Sequence, residues 1–231
     1  MAYEINSHVR AALFDIDGTL TTGGEVWGAL IQSPDVLLSK KCWLYATGMP
    51  HYLLSKTGIV SQAGFRDRWV RLMAWLMKGW RHEQAQGIYR QIDDFLGATL
   101  RPNVVEILKQ HKTAGHPVIL VSTMFDGIVG GLADYLGADA GLGSEVEFRD
   151  GRCMGRVVGL TCSGARKVEF AERYLKRNFP ELPFNVCAAY ADSQSDIPLL
   201  AAAGYPVAVY PDEGMRTAAI ERGWAIYEDE T

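Results

Sequence analysis

A chain of 231 residues with 48% hydrophobic and 22% charged residues is long enough to bury a core, and its composition excludes a disordered or low-complexity protein. A formal net charge of −4 argues against a nucleic-acid partner, which needs a basic face, and no apolar run approaches the roughly 20 residues that cross a bilayer. The first residues lack the basic-then-apolar layout of a signal peptide, and Cys42, Cys153, Cys162 and Cys187 form no CxxC pair. A cytoplasmic protein with neither a zinc site nor a disulfide framework is therefore expected.

In chain order, HVRAALFDIDGTL reads as a buried strand that runs into a turn. From about Thr22 to Leu100 the pattern turns helix-rich, in FRDRWVRLMAWLMKGW and RHEQAQGIYRQIDDFLGA, which predicts a helical insertion directly after the first strand. NVVEILKQHKTAG is a helix stopped at Gly115 and Pro117, and HPVILVSTM is the next strand. SEVEFRDGRCMGRVVG holds an Asp-Gly turn between alternating runs and predicts a hairpin. FNVCAAYADSQSD and PVAVY supply two further strands. Strands separated by helices point to a doubly wound, Rossmann-like parallel sheet with a small helical cap inserted after its first strand. The core is expected over 1–21 and 100–231, the cap over 22–99.

In sheets of this kind ligands bind at the carboxyl ends of the strands, where the acidic and hydroxyl residues of this chain fall. Asp15 and Asp17 stand two residues apart at the first strand end, and Asp192 and Asp196 follow a later strand. Carboxylates gathered in one cleft are tolerable only with a cation or a shared proton, and their oxygen donors suit Mg²⁺. Ser122 adds a hydroxyl and Lys167 a compact positive charge that can offset phosphate.

These four motifs, DIDGT at 15–19, VST ending at Thr123, Lys167, and DSQSD at 192–196, resemble in order those of the haloacid dehalogenase-like superfamily of phosphohydrolases. The insertion between the first two is similar to the cap of its phosphoserine phosphatase-like subgroup, known as subfamily IB with a C1-type cap. The resemblance implies that Asp15 is the nucleophile and Asp17 the general acid and base. It implies that Ser122, Thr123 and Lys167 hold the phosphoryl group. Mg²⁺ would be held by Asp15, by Asp17 through its main-chain carbonyl, and by Asp192, with Asp196 orienting Lys167 and water. Glu25 and Arg71 are the candidates for the subgroup's substrate-binding cap residues. Members that cleave carbon-halogen bonds lack an aspartate at the position of Asp17, so the implied reaction is hydrolysis of a small-molecule phosphate monoester through a phospho-aspartate. Thr123-Met124-Phe125 stands where phosphoserine phosphatase has a glycine-rich stretch, which leaves phosphoserine and other esters open as substrates.

The bland readings are a helix cap for an isolated acidic pair, a solvated helix lysine for Lys167, and structural or surface roles for the five scattered histidines. Trp69, Leu72, Met73, Leu76 and Trp80 have the spacing of a buried helix face. An apolar substrate pocket involving Trp75 and Met77, or a membrane-surface contact, is the alternative. A phosphotransferase, a phospho-receiver and a silent binding module are the competing functions, and the implied cap suggests gating about hinges near 21–24 and 96–101. Neither nucleic acid nor an integral membrane association is expected, and monomer and homodimer remain equally compatible.

Overall fold

The computed structural model describes residues 4–56 and 61–229. Its centre is strand β1 (Ala11–Phe14), all four residues of which are buried. On one side β1 pairs with β2 (Val118–Phe125), which pairs with β3 (Ala140–Ser144); on the other it pairs with β6 (Cys187–Ala191), followed by β7 (Tyr205–Val209) and β8 (Ala225–Tyr227). Every pairing in this six-stranded sheet is parallel. After β1 the chain builds outward in one direction, and from β6 it builds in the other. The crevice at the carboxyl ends of β1 and β6 is thus the switch point, the place where such sheets take ligands.

Alternation along the strands feeds two cores, as the period of two requires. Ala12, Phe14, Leu120 and Tyr190 face helix α5 (Pro102–Thr113) and its Val104, Ile107 and Leu108. Ala11, Leu13, Val121 and Ala189 face the opposite layer. There Leu175 of α7 (Arg166–Asn178), Leu199 of α8 (Ile197–Ala202) and Met215 of α9 (Glu213–Arg222) complete the packing. His111 is fully buried in the first core with Nε2 2.8 Å from the Tyr190 hydroxyl, and burial followed by the neighbouring His116 pushes its pKa down to about 3. It is a neutral core histidine.

Between β1 and α5 lie α1 (Gly28–Gln32), α2 (Leu38–Lys56), α3 (Gln62–Leu76) and α4 (His82–Ala98). The chain departs and returns side by side: Thr21 bridges Leu100, and the Thr22 and Arg101 amides donate to the carbonyls of Thr99 at 2.9 Å and Leu20 at 2.8 Å. Helix α4 turns Ile88, Tyr89, Ile92 and Leu96 inward toward α6 (Asp126–Leu136). On α3 and just beyond it, Leu72, Met73, Leu76 and Trp80 are buried as their spacing predicts, while Trp69 is only partly so.

The predicted hairpin forms from β4 (Val146–Arg149) and β5 (Arg152–Val157). Asp150 at φ 48° and Gly151 at φ 71° make the left-handed turn that an Asp-Gly pair favours. Its outer strand is joined to the insertion. Gly79 and His82 donate backbone hydrogen bonds to Cys153 and Gly151 at 2.8 and 3.0 Å, and Cys153 donates to Trp80 at 2.8 Å.

Candidate active site

Asp15 is the first residue beyond β1, and its amide donates to the Tyr190 carbonyl of β6 at 2.9 Å. The chain then makes a tight turn over Ile16–Leu20, closed by the Thr21 amide on the Ile16 carbonyl at 3.0 Å. Gly18 has φ 92°, and a Cβ there would collide with the Asp192 carboxylate, so the turn needs glycine on both counts. The turn brings DIDGT against DSQSD. Thr19 Oγ1 lies 3.3 Å from Asp15 Oδ2 and 3.0 Å from Asp192 Oδ1.

Lys167 sits in the first turn of α7 at 1% exposure, with Nζ 2.6 Å from Asp15 Oδ1 and 2.7 Å from Asp196 Oδ1. Burial alone would lower its pKa, but Asp15 and Asp196 outweigh that and hold it above the ordinary lysine range, so the ammonium is permanently charged. Burial, reinforced by the Asp15 and Asp196 charges, raises Asp192. Asp17 opens onto the cleft, yet the protein mass around its carboxyl and then the Asp15 charge push its pKa up to about 6. A carboxyl poised near neutrality can exchange a proton in either direction.

Asp15, Asp192 and Asp196 each offer a carboxylate oxygen, and these lie within 4.8 Å of one another. Asp196 Oδ2 is buried and accepts no hydrogen bond among the described residues. An all-oxygen donor set with unspent acceptor capacity suits a hard divalent cation such as Mg²⁺. Asp196 stands with Asp15 and Asp192 in this cluster of carboxylates, beside its expected place next to Lys167.

Asp15, Asp17, Ser122 and Thr123 line one pocket of about 220 Å³. Ser122 is buried near the end of β2, where Ser144 braces the strand by donating to the Thr123 carbonyl at 2.9 Å and accepting from the Cys162 amide at 3.1 Å. The two cap candidates stand elsewhere. Arg71 donates to Asp67 Oδ2 at 3.2 Å and to the Gly159 carbonyl at 3.1 Å, and so ties α3 to the core instead of entering the pocket. Thr161 and Arg166 complete that tie by bonding the same Asp67 carboxylate. Glu25 is exposed and lines a second, larger cavity.

Among the described residues the cation that lines the pocket of Asp15 and Asp17 is Arg66, which the sequence did not single out. It donates to the Ser195 and Ser193 hydroxyls, both at 3.0 Å, and reaches to 4.0 Å from Asp196 Oδ2. FRDRWVR offers three arginines within two helical turns, and only the docking of α3 on DSQSD selects among them.

The model of the haloacid dehalogenase-like hydrolases matches residues 12–201, a span that contains all four motifs. The chain belongs to the haloacid dehalogenase-like hydrolase family. It is 30% identical over 166 residues to the inhibition of morphological differentiation protein of Streptomyces azureus, covering 70% of this chain and 59% of that one. It is 26% identical over 214 residues to the phosphoserine phosphatase of Archaeoglobus fulgidus, 93% of this chain and 56% of that one. The chain thus spans little more than half the length of these curated relatives. Among solved structures, a protein of unknown function from Bordetella pertussis Tohama I superposes with a TM-score of 0.77 at 23% identity, covering 95% of this chain and 98% of its own. No helix among the described residues is long and apolar enough to cross a membrane.

Proposed function

We propose that the chain hydrolyses small-molecule phosphate monoesters in two steps through a phosphorylated Asp15, with residues 22–99 as a cap over the site. The observation that carries this reading is the buried Lys167 bridge between Asp15 and Asp196, whose Asp15 end lines a pocket together with Asp17, Ser122 and Arg66. An Asp15 oxygen attacks phosphorus; the bond from phosphorus to the ester oxygen breaks, and Asp17 gives that oxygen its proton. Asp17, now ionised, takes a proton from a water whose oxygen attacks the same phosphorus, which frees Asp15 and inorganic phosphate. Lys167 and the Ser122 hydroxyl hold the phosphoryl oxygens, and Arg66 adds a positive charge at the rim. Asp15, Asp192, Asp196 and the Asp17 carbonyl would hold Mg²⁺, which when bound supplies charge neutralisation, the main demand of phosphoryl transfer.

Phosphate release from p-nitrophenyl phosphate and phosphoserine, with Mg²⁺ or with EDTA, tests the reading in wild type and Asp15→Asn. Magnesium-dependent release that vanishes in the variant is expected. Release that survives Asp15→Asn would remove the phospho-aspartate, and no release from folded protein would remove the hydrolase.

A further inference from the structure

The catalytic pocket does not end at its own walls. Trp27, Phe65 and Trp69 line it on one side and a cavity of about 550 Å³ on the other, so the two spaces share three aromatic side chains. The larger cavity runs between α1, α2 and α3, with Ile31, Leu44, Tyr45 and Tyr52 among its remaining walls. Leu44, Tyr45, Gly48 and Tyr52 recur along one face of α2 at helical spacing. Gly48 matters to the shape: a Cβ there would come within 2.8 Å of the Trp69 ring, so glycine lets that ring lie against α2 as a wall.

No cation among the described residues lines the larger cavity, and the charged and amide side chains that do, Glu25 and Gln32, are exposed. A small zwitterionic alcohol such as serine finds little there. Arg71 is turned away to Asp67 and Gly159, and Arg66 is engaged by Ser193, Ser195 and Asp196. An apolar group instead leaves water for a cavity in the size range that encloses an organic ligand. Leu37, Leu38 and Leu53, exposed at 64, 75 and 58%, give the α2 side an apolar approach.

We propose that the substrate is a phosphate monoester whose alcohol carries a large apolar body, seated in the cavity between α1, α2 and α3 while its phosphate occupies the pocket of Asp15. This rests on the hydrolase reading above and names the substrate class for the same site. The sequence-level alternative of an apolar pocket is carried by different residues than Trp75 and Met77: Met77 is fully buried in the core, and Trp75 packs on Trp43 with ring centroids 4.6 Å apart.

The test compares kcat/KM for ethyl, butyl and octyl phosphate, 1-naphthyl phosphate and phosphoserine, each below any micelle-forming concentration and with Mg²⁺. Each methylene that enters the cavity is worth about a factor of 4, so octyl should exceed ethyl phosphate by about 100-fold or more. The alkyl arm rising above the naphthyl arm marks a chain-like body, and the reverse marks an aromatic one. Gly28→Leu, at a position where a Cβ meets nothing closer than 3.7 Å, fills the cavity and should cut the octyl-to-ethyl ratio by about 10-fold. Tyr45→Ala, at an exposed wall residue whose truncation opens no buried core, gives a second reading of that ratio and should lower it by about 3-fold. A ratio near one in wild type, equal ratios in all three proteins, or phosphoserine preferred over octyl phosphate overturns the apolar substrate while leaving the hydrolase intact. Failure of every ester would instead overturn the hydrolase, and this proposal with it.

Discussion

Lys167 Nζ stands 2.6 Å from Asp15 Oδ1, and both side chains are all but sealed from solvent, at 1 and 4% exposure. The pair is placed by the first turn of α7 meeting the end of β1. Removing the lysine leaves Asp15 and Asp196 buried without their shared cation, a change that typically costs about 3–5 kcal/mol. Lys167→Met should therefore lower urea-denaturation stability by that order and phosphate release by about 100-fold or more. Lys167→Arg should not restore activity, because a forked guanidinium does not fit the place of a compact ammonium. A fully stable, active Lys167→Met protein would contradict the role given to the pair.

Asp17 and Asp15 should separate kinetically. With p-nitrophenyl phosphate, whose leaving group needs no proton, Asp17→Asn should still phosphorylate Asp15 but release phosphate about 100-fold more slowly or worse. Acid quenching with radiolabelled substrate should then trap labelled Asp17→Asn protein, and none from Asp15→Asn. If label fails to accumulate in Asp17→Asn while turnover falls, Asp17 does not act in the second step.

Mg²⁺ should raise the melting temperature whether or not substrate is present, because it neutralises Asp15, Asp192 and Asp196 in the folded state alone. At 100 times the dissociation constant the gain is about 2.7 kcal/mol. Asp192→Asn should shrink the shift, as it deletes one of the three carboxylates that converge within 4.8 Å. An undiminished shift in that variant would place the ion elsewhere.

Away from the site, Asp93 of α4 packs so closely on α6 that a Cβ on Gly131 would collide with its carboxylate, and Asp93 Oδ1 is buried with no hydrogen-bond partner among the described residues. Burial, then the Asp94 charge, raises its pKa from 3.8 to about 7. The folded value lies above the unfolded one. Stability from this group is therefore complete below about pH 4 and declines as pH rises toward 7. Asp93→Asn should be more stable than wild type at pH 8 and show no such gain at pH 4, read as melting temperature against pH.

The strands and the four motifs were legible in the sequence because a buried parallel strand ending in an acid or hydroxyl leaves a contiguous signature. Asp15, Asp17, Ser122 and Thr123 are each within a few residues of such an end, Lys167 stands in the first turn of a helix, and the hairpin announced itself through Asp150-Gly151. The cap residues left no signature of that kind. Arg66, Arg68 and Arg71 share one helix, and their duties differ only by which way α3 turns when it docks: Arg66 meets DSQSD, and Arg71 meets Asp67 and Gly159. The same docking puts Trp69 in a cavity wall and Met77 in the core, although both are apolar residues of one run. Asp196 reads as orienting its neighbours from its place in the motif, but its proximity to Asp15 and Asp192 depends on β1 and β6 being adjacent.

The three backbone hydrogen bonds between the hairpin and residues 79–82 bear on how a guest gets in. A lid held along one side only can swing; this one is fastened near Thr21 and Leu100, sewn to the hairpin at Gly79 and His82, and pinned at Asp67. Tilting the whole insertion would break all three attachments at once. Among the described residues the side of α1 and α2 carries none of these fastenings, so on the reading proposed above a guest enters by parting two helices there, through a sleeve in the insertion rather than under its edge.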